Sequence, residues 1–195
     1  MTQDFGSIMT IDDSLQQAYL QAYHFAAEAH QGQIYPGTQI SYIMHISFVA
    51  MEVQQALAYH RQQTTQPLKN ERVAIQCALL HDVLEDCDVT ADTLSQHFDQ
   101  QVVLGVMALS KNPSLPKEEQ MLDSLLRIKQ QIPEIAMVKL ADRTCNLQQP
   151  PSYWSTEKRQ RYHQQAQQIW THLSFACPYL SARLHQKIQA YNQYF

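Results

Sequence analysis

The chain is poor in residues that several common chemistries require. Only four of its 195 residues are glycine, and no G-x-x-x-x-G-K-[S/T] string occurs, which excludes a glycine-rich loop that cradles phosphates. The four cysteines, Cys77, Cys87, Cys145 and Cys177, form no C-x-x-C pair. That leaves out a zinc knuckle or thioredoxin-type motif, and they read as reduced, mostly buried thiols of a cytoplasmic protein. No apolar run approaches the ~18 residues that span a bilayer. The N-terminus carries Asp4, Asp12 and Asp13 and no basic region ahead of an apolar stretch, so no signal peptide and no membrane association are expected. A net charge of -4 argues against a nucleic-acid partner, which calls for a basic face. A small anionic molecule can still be held by a local cluster of Lys, Arg and metal.

What is present is helical periodicity. Leu15, Ala18, Tyr19, Ala22, Phe25, Ala26 and Ala29 recur at three- and four-residue steps, one face of a helix, with Asp12, Asp13 and Ser14 as candidate caps. A loop around Gly32 and Pro36-Gly37 follows, then helices at about 42–60 and 70–84. Thr90 to Thr93 looks like a helix start, 102–109 is a further helical run, and Asn112 to Pro116 breaks it. Helices at 117–131, from Pro133 to about 147, and at 156–173 and 178–194 complete an all-α chain of one-domain length. No repeat, long linker or strand alternation stands out.

The chemistry concentrates in Ala78-Leu79-Leu80-His81-Asp82-Val83-Leu84-Glu85-Asp86. Charged groups in so apolar a run are costly to bury without compensation, and a divalent metal would provide it. His45, on the same helix face as Val49, and Asp142, in Val138-Lys139-Leu140-Ala141-Asp142-Arg143, are the other candidate ligands. Two His and two Asp favour manganese, iron, cobalt or zinc over magnesium and leave positions open for water and substrate on a six-coordinate ion. Glu85 and Asp86 lie four residues after His81 and Asp82. If the helix continues that far they face the same side, where they can move protons. Asn146, Lys139 and Arg143 are candidate substrate contacts. Blander readings stand beside these. Glu85 and Asp86 can cap the helix near Thr90, His24 reads as a packed or surface residue, Tyr153-Trp154 as a core plug, and the Gln-rich 160–168 as a solvated face.

These residues resemble the HD-domain superfamily of metal-dependent phosphohydrolases. Within it they are most similar to the hydrolase domain of RelA/SpoT alarmone enzymes and their small Mesh1-type relatives. The matching pieces are Ala26 to Gln33, Tyr42 to His45, Ala78 to Asp86, Ala108-Leu109-Ser110-Lys111 and Val138 to Leu147. They cover a core of about 20–147, and the helices at 156–194 match only in being helical. The resemblance implies a single HD helical bundle over 1–195, with His45, His81, Asp82 and Asp142 as ligands of a manganese ion. Glu85 and Asp86 become the catalytic acids. Asn146 becomes the family's substrate contact, beside which Lys139, Arg143, Lys111 and Tyr35 stand as this chain's own candidate contacts, and the activity becomes removal of 3′-pyrophosphate from guanosine tetra- or pentaphosphate. The chain departs from the family once. Where an Arg-Lys pair usually packs on the guanine base, it reads Ile34 to Ser41 without a basic residue. Tyr35 can stack on a base or pack on the protein. The alternatives are therefore another nucleotide substrate (an adenine alarmone, a nucleoside monophosphate or NADPH) or a nucleotide-binding regulator without activity.

Overall fold

The computed structural model describes residues 14–63, 68 and 70–195. The expected caps Asp12 and Asp13 lie outside them, as does Asp4 and part of the 61–69 connection. Ten α-helices run through the described residues: α1 (Ser14–Ala29), α2 (Ile43–Gln63), α3 (Glu71–Leu80), α4 (Val83–Asp86), α5 (Ala91–Ser95), α6 (Gln100–Leu109), α7 (Lys117–Lys129), α8 (Pro133–Asn146), α9 (Thr156–Leu173) and α10 (Pro178–Tyr191). The pairing of Ile34 with Ser41 is an isolated antiparallel bridge. No described helix is long and apolar enough to cross a membrane.

Two helices are buried nearly all round and organise the rest. In α3 every residue from Val73 to Leu80 is buried, and in α8 every one from Glu134 to Cys145. A helix without a solvated face must sit inside others. Accordingly α3 packs against α1, α2, α6 and α8, and α8 against α2, α3, α9 and α10. Close approach depends on small residues. A Cβ placed on Gly105 of α6 would lie 2.6 Å from Ile135 Cδ1 and 2.8 Å from Cys77 Sγ. The starts of these helices follow local chemistry. The side chain of Asn70 accepts from Val73 N, that of Thr90 from Thr93 N, and Pro133 occupies the first turn of α8.

The structure corrects the sequence reading at three places. A single helix over 70–84 is expected, but it stops at Leu80 and a short new turn begins at Val83. Asp82 adopts φ -104°, ψ -5°, and its carbonyl accepts from both Glu85 N and Asp86 N, which restarts the helix. Tyr153 is 69% exposed and plugs nothing. The last α-helix ends at Tyr191, followed by a 3-10 turn over Asn192–Tyr194. The four cysteines are free thiols, with Cys77, Cys145 and Cys177 buried.

Candidate metal centre and active site

The break after α3 positions the centre of the site. Adjacent residues of a continuous helix point about 100° apart around its axis. With the helix interrupted, His81 and Asp82 converge instead: His81 Nε2 lies 3.0 Å from Asp82 Oδ2. His45 arrives from the first turn of α2, its Nε2 3.6 Å from Asp82 Oδ2 and 3.5 Å from Asp142 Oδ1. Asp142, from the middle of α8, stands 3.7 Å from His81 Nε2. Ligand atoms of His45, His81 and Asp142 all lie within 4.8 Å of one another, a grouping able to hold a metal ion.

The histidines are prepared for that role. Nδ1 of His81 donates to the carbonyl of Ala78 at 2.9 Å, which leaves Nε2 turned toward the carboxylates. Nε2 of both His45 and His81 is buried without a hydrogen-bond partner among the described residues. Orphaned buried nitrogens facing two carboxylates are what a cation would satisfy. Burial disfavours a charged His81, but the charges of Asp82 and Asp142, whose carboxylates face its Nε2, outweigh it and push its pKa up to about 10. For His45, burial is likewise outweighed by Asp142 and Asp82, and its pKa is raised. Burial also acts to raise both aspartates. His81 and His45 nevertheless hold Asp82 well below the usual carboxylate range, and Lys139 with the two histidines does the same for Asp142.

Around this centre the other candidate residues take distinct positions. Glu85 turns outward. Its Oε1 accepts from the backbone N of Lys111 at 2.8 Å, and its Oε2 pairs with Lys111 Nζ at 2.8 Å. Asp86 is exposed but lies on the side of Asp82, and the Tyr42 hydroxyl reaches both Asp82 Oδ2 (2.6 Å) and Asp86 Oδ2 (3.4 Å). Burial, then the nearby charges of Asp82 and Glu85, raise the pKa of Asp86. Asn146 donates to Asp142 Oδ1, and buried Lys139 bonds Asp142 Oδ2 at 3.2 Å. Arg143 is buried, with its guanidinium 4.2 Å above the ring of Tyr162. Tyr35 packs near Tyr42 and His45, ring centroids 6.2 and 5.7 Å away. Gly32, at φ +80°, turns the chain into this loop. Gln33 then ties the loop to the site by donating to the carbonyl of Asp86.

Beside the centre, and sharing Tyr42 and Asn146 with it, is a cavity of about 210 Å³ walled by Tyr35, Trp154, Tyr162 and Tyr191. Of this aromatic wall, sequence reasoning singled out Tyr35 alone as a ring that can stack on a base. Tyr42 carried a readable signal, three residues before His45. Trp154 and Tyr162 carried none, because only the tertiary packing of the 147–155 connection and of α9 brings them to the site.

Helices that gather two histidines and two aspartates around one point define an HD-type helical domain. The chain belongs to the HD-domain family, which matches residues 22–176 and so extends well beyond the expected core at 147. It is 36% identical over 101 residues to the guanosine-3′,5′-bis(diphosphate) 3′-pyrophosphohydrolase MESH1 of Mus musculus, covering 50% of this chain and 56% of that one. This match thus spans little more than half the relative's length. Against the MESH1 of Danio rerio the identity is 31% over 155 residues, 77% of this chain and 81% of the relative. The bifunctional (p)ppGpp synthase/hydrolase SpoT of Escherichia coli is 30% identical over 161 residues, 79% of this chain and 21% of that one. A solved structure described as a metazoan ortholog of SpoT that hydrolyzes ppGpp shares the fold, with a TM-score of 0.73 at 21% identity over 96% of this chain and 97% of the other.

Proposed function

We propose that the protein is a metal-dependent phosphohydrolase that removes 3′-pyrophosphate from a guanosine tetra- or pentaphosphate-like nucleotide. The observation that carries this is the convergence of His45, His81, Asp82 and Asp142 on one point, with an acid pair on one side and an aromatic cavity on the other. These four residues are the proposed ligands and manganese the proposed ion. A divalent cation held there supplies Lewis acidity toward a phosphoryl oxygen and lowers the pKa of water toward ~7.

The chain's own groups handle protons and orientation. Asp86, with its raised pKa, accepts a proton from the attacking water. As the bond from phosphorus to the 3′ oxygen breaks, that oxygen takes up a proton and pyrophosphate departs. Glu85, pinned by Lys111, orients the water and shares this acid-base work. Asn146 and Lys139 hold Asp142 and stand next to the phosphoryl group. Arg143 contributes by seating Tyr162, a wall of the base cavity. Lys111 contacts phosphate from the side of Glu85, and Tyr35 offers its ring to the base.

That aromatic cavity, in a chain whose 34–41 segment has no cation, supports a second reading of the base: stacking alone accepts adenine as well as guanine. Manganese-loaded protein assayed against guanosine 3′,5′-bis(diphosphate), its adenine counterpart, nucleoside monophosphates and NADPH decides between them. Pyrophosphate release from the guanosine compound is expected. Release only from another nucleotide selects the second reading. Tight binding without turnover of any of them would make the protein a regulator and overturn the hydrolase.

A further inference from the structure

A second depression, which shares no lining residue with the aromatic cavity, is walled by Lys111, α7 and α9. It has a volume of about 710 Å³, and its walls include Lys111, Lys117, Arg161, Gln164, Gln168 and one acid, Glu118. Lys117 and Arg161 are exposed, and neither enters an ion pair among the described residues. In a chain of net charge -4, two uncommitted cations, one on α7 and one on α9, line a groove together with a third, Lys111. That third cation connects the groove to the chemistry. Lys111 is paired with Glu85 and lies close enough to Asp142 and Asp82 for their charges to act on it.

Helix α9 forms a wall shared by the two depressions. Residues 161, 164, 165 and 168 fall at i, i+3, i+4 and i+7 and line the groove, while Tyr162 lines the aromatic cavity. The glutamine-rich stretch that reads as a solvated face is therefore one side of a groove rich in N–H donors. Amide donors, the planar guanidinium of Arg161 and the unpaired ammonium of Lys117 match the non-bridging oxygens of a phosphate chain.

We propose that the α7–α9 groove binds a diphosphate group of the nucleotide, so that the substrate runs from the aromatic cavity, past the metal centre, into a basic channel. The identity of the nucleotide rests on the phosphohydrolase reading above; the affinity of the groove for a diphosphate does not. Two diphosphates could occupy it: the 5′ arm of the substrate, or the 3′ pyrophosphate as it leaves.

The test uses the full chain carrying Lys117→Glu and Arg161→Glu together. Both residues are exposed and outside the metal cluster, and a glutamate in the first turn of α7 suits the helix dipole. Titration of metal-free protein with inorganic pyrophosphate, followed by calorimetry at low salt, should show dissociation weakened about ten-fold or more in the variant. With manganese-loaded protein, KM is then compared for guanosine 3′,5′-bis(diphosphate) and for guanosine 3′-diphosphate with a free 5′ hydroxyl. A rise confined to the first substrate places the 5′ arm in the groove. An equal rise for both, with weaker inhibition by pyrophosphate, places the leaving group there. Unchanged pyrophosphate affinity and unchanged KM for both substrates would overturn the proposal. Wild-type protein that hydrolyses neither nucleotide, yet binds pyrophosphate in a Lys117- and Arg161-dependent way, would overturn the hydrolase reading and leave the groove standing.

Discussion

One hydrogen bond decides which nitrogen of His81 meets the cluster. With Nδ1 committed to the carbonyl of Ala78, only Nε2 is free to bind a cation. The proposed ligand set predicts that Asp82→Ala abolishes manganese binding and turnover together, checked by metal analysis of the purified protein; retained metal at wild-type stoichiometry would remove Asp82 from the set. Glu85→Ala should keep the metal and lower kcat by ~10²–10⁴-fold, the usual share of an acid-base group. Metal uptake also has a predictable pH dependence. His81 carries a proton up to about pH 10 in the metal-free protein, and a cation must displace it. Affinity should therefore rise with pH below that value, with proton release visible as calorimetric heats that differ between buffers of different ionisation enthalpy. Heats independent of the buffer would count against a protonated, metal-free centre.

At the scale of elements, the interruption between α3 and α4 matters more than either helix. It turns two neighbours in sequence toward one point and lets α4 send Glu85 to Lys111 and Asp86 to Tyr42. The i, i+4 argument for these acids assumed a continuous helix. They share the neighbourhood of the site, but through a separate turn and separate partners. The close approach of α6 to α3 and α8 supplies the element-scale prediction. Gly105→Ala forces a methyl group against Ile135 and Cys77, neither with room to withdraw from a packed core. It should lower stability by about 1–3 kcal/mol, read from urea unfolding. No loss would mean that the helices separate without cost.

Over the whole molecule, α9 and α10 are not an appendage. They pack on α8, and α10 also reaches α2, where Arg183 forms a forked pair with the carboxylate of buried Glu52. Arg183→Ala would leave that carboxylate buried and unpaired. A loss of about 1–3 kcal/mol in urea unfolding is expected, with a smaller loss if water reaches Glu52. Metal binding should survive, since neither residue belongs to the proposed ligand set.

What the sequence determined by itself is the inventory of chemistry and the class of fold. Apolar residues at helical spacing specify helices, because a one-sided stripe has to be buried. His45, His81, Asp82 and Asp142 betray themselves because a titratable group in an apolar run needs compensation, and that cost is local and readable. The tertiary structure alone decided how those groups meet. The turn at His81-Asp82 is set by packing and by the carbonyl of Asp82, not by any helix-breaking residue in the run. One wall of the aromatic cavity, Tyr162, and one side of the basic groove come from α9, more than ten residues beyond the last readable motif. Tyr162, Arg161 and the glutamines have no cost that singles them out in one dimension. Their roles exist only because α9 folds back over the centre that the histidines and aspartates mark.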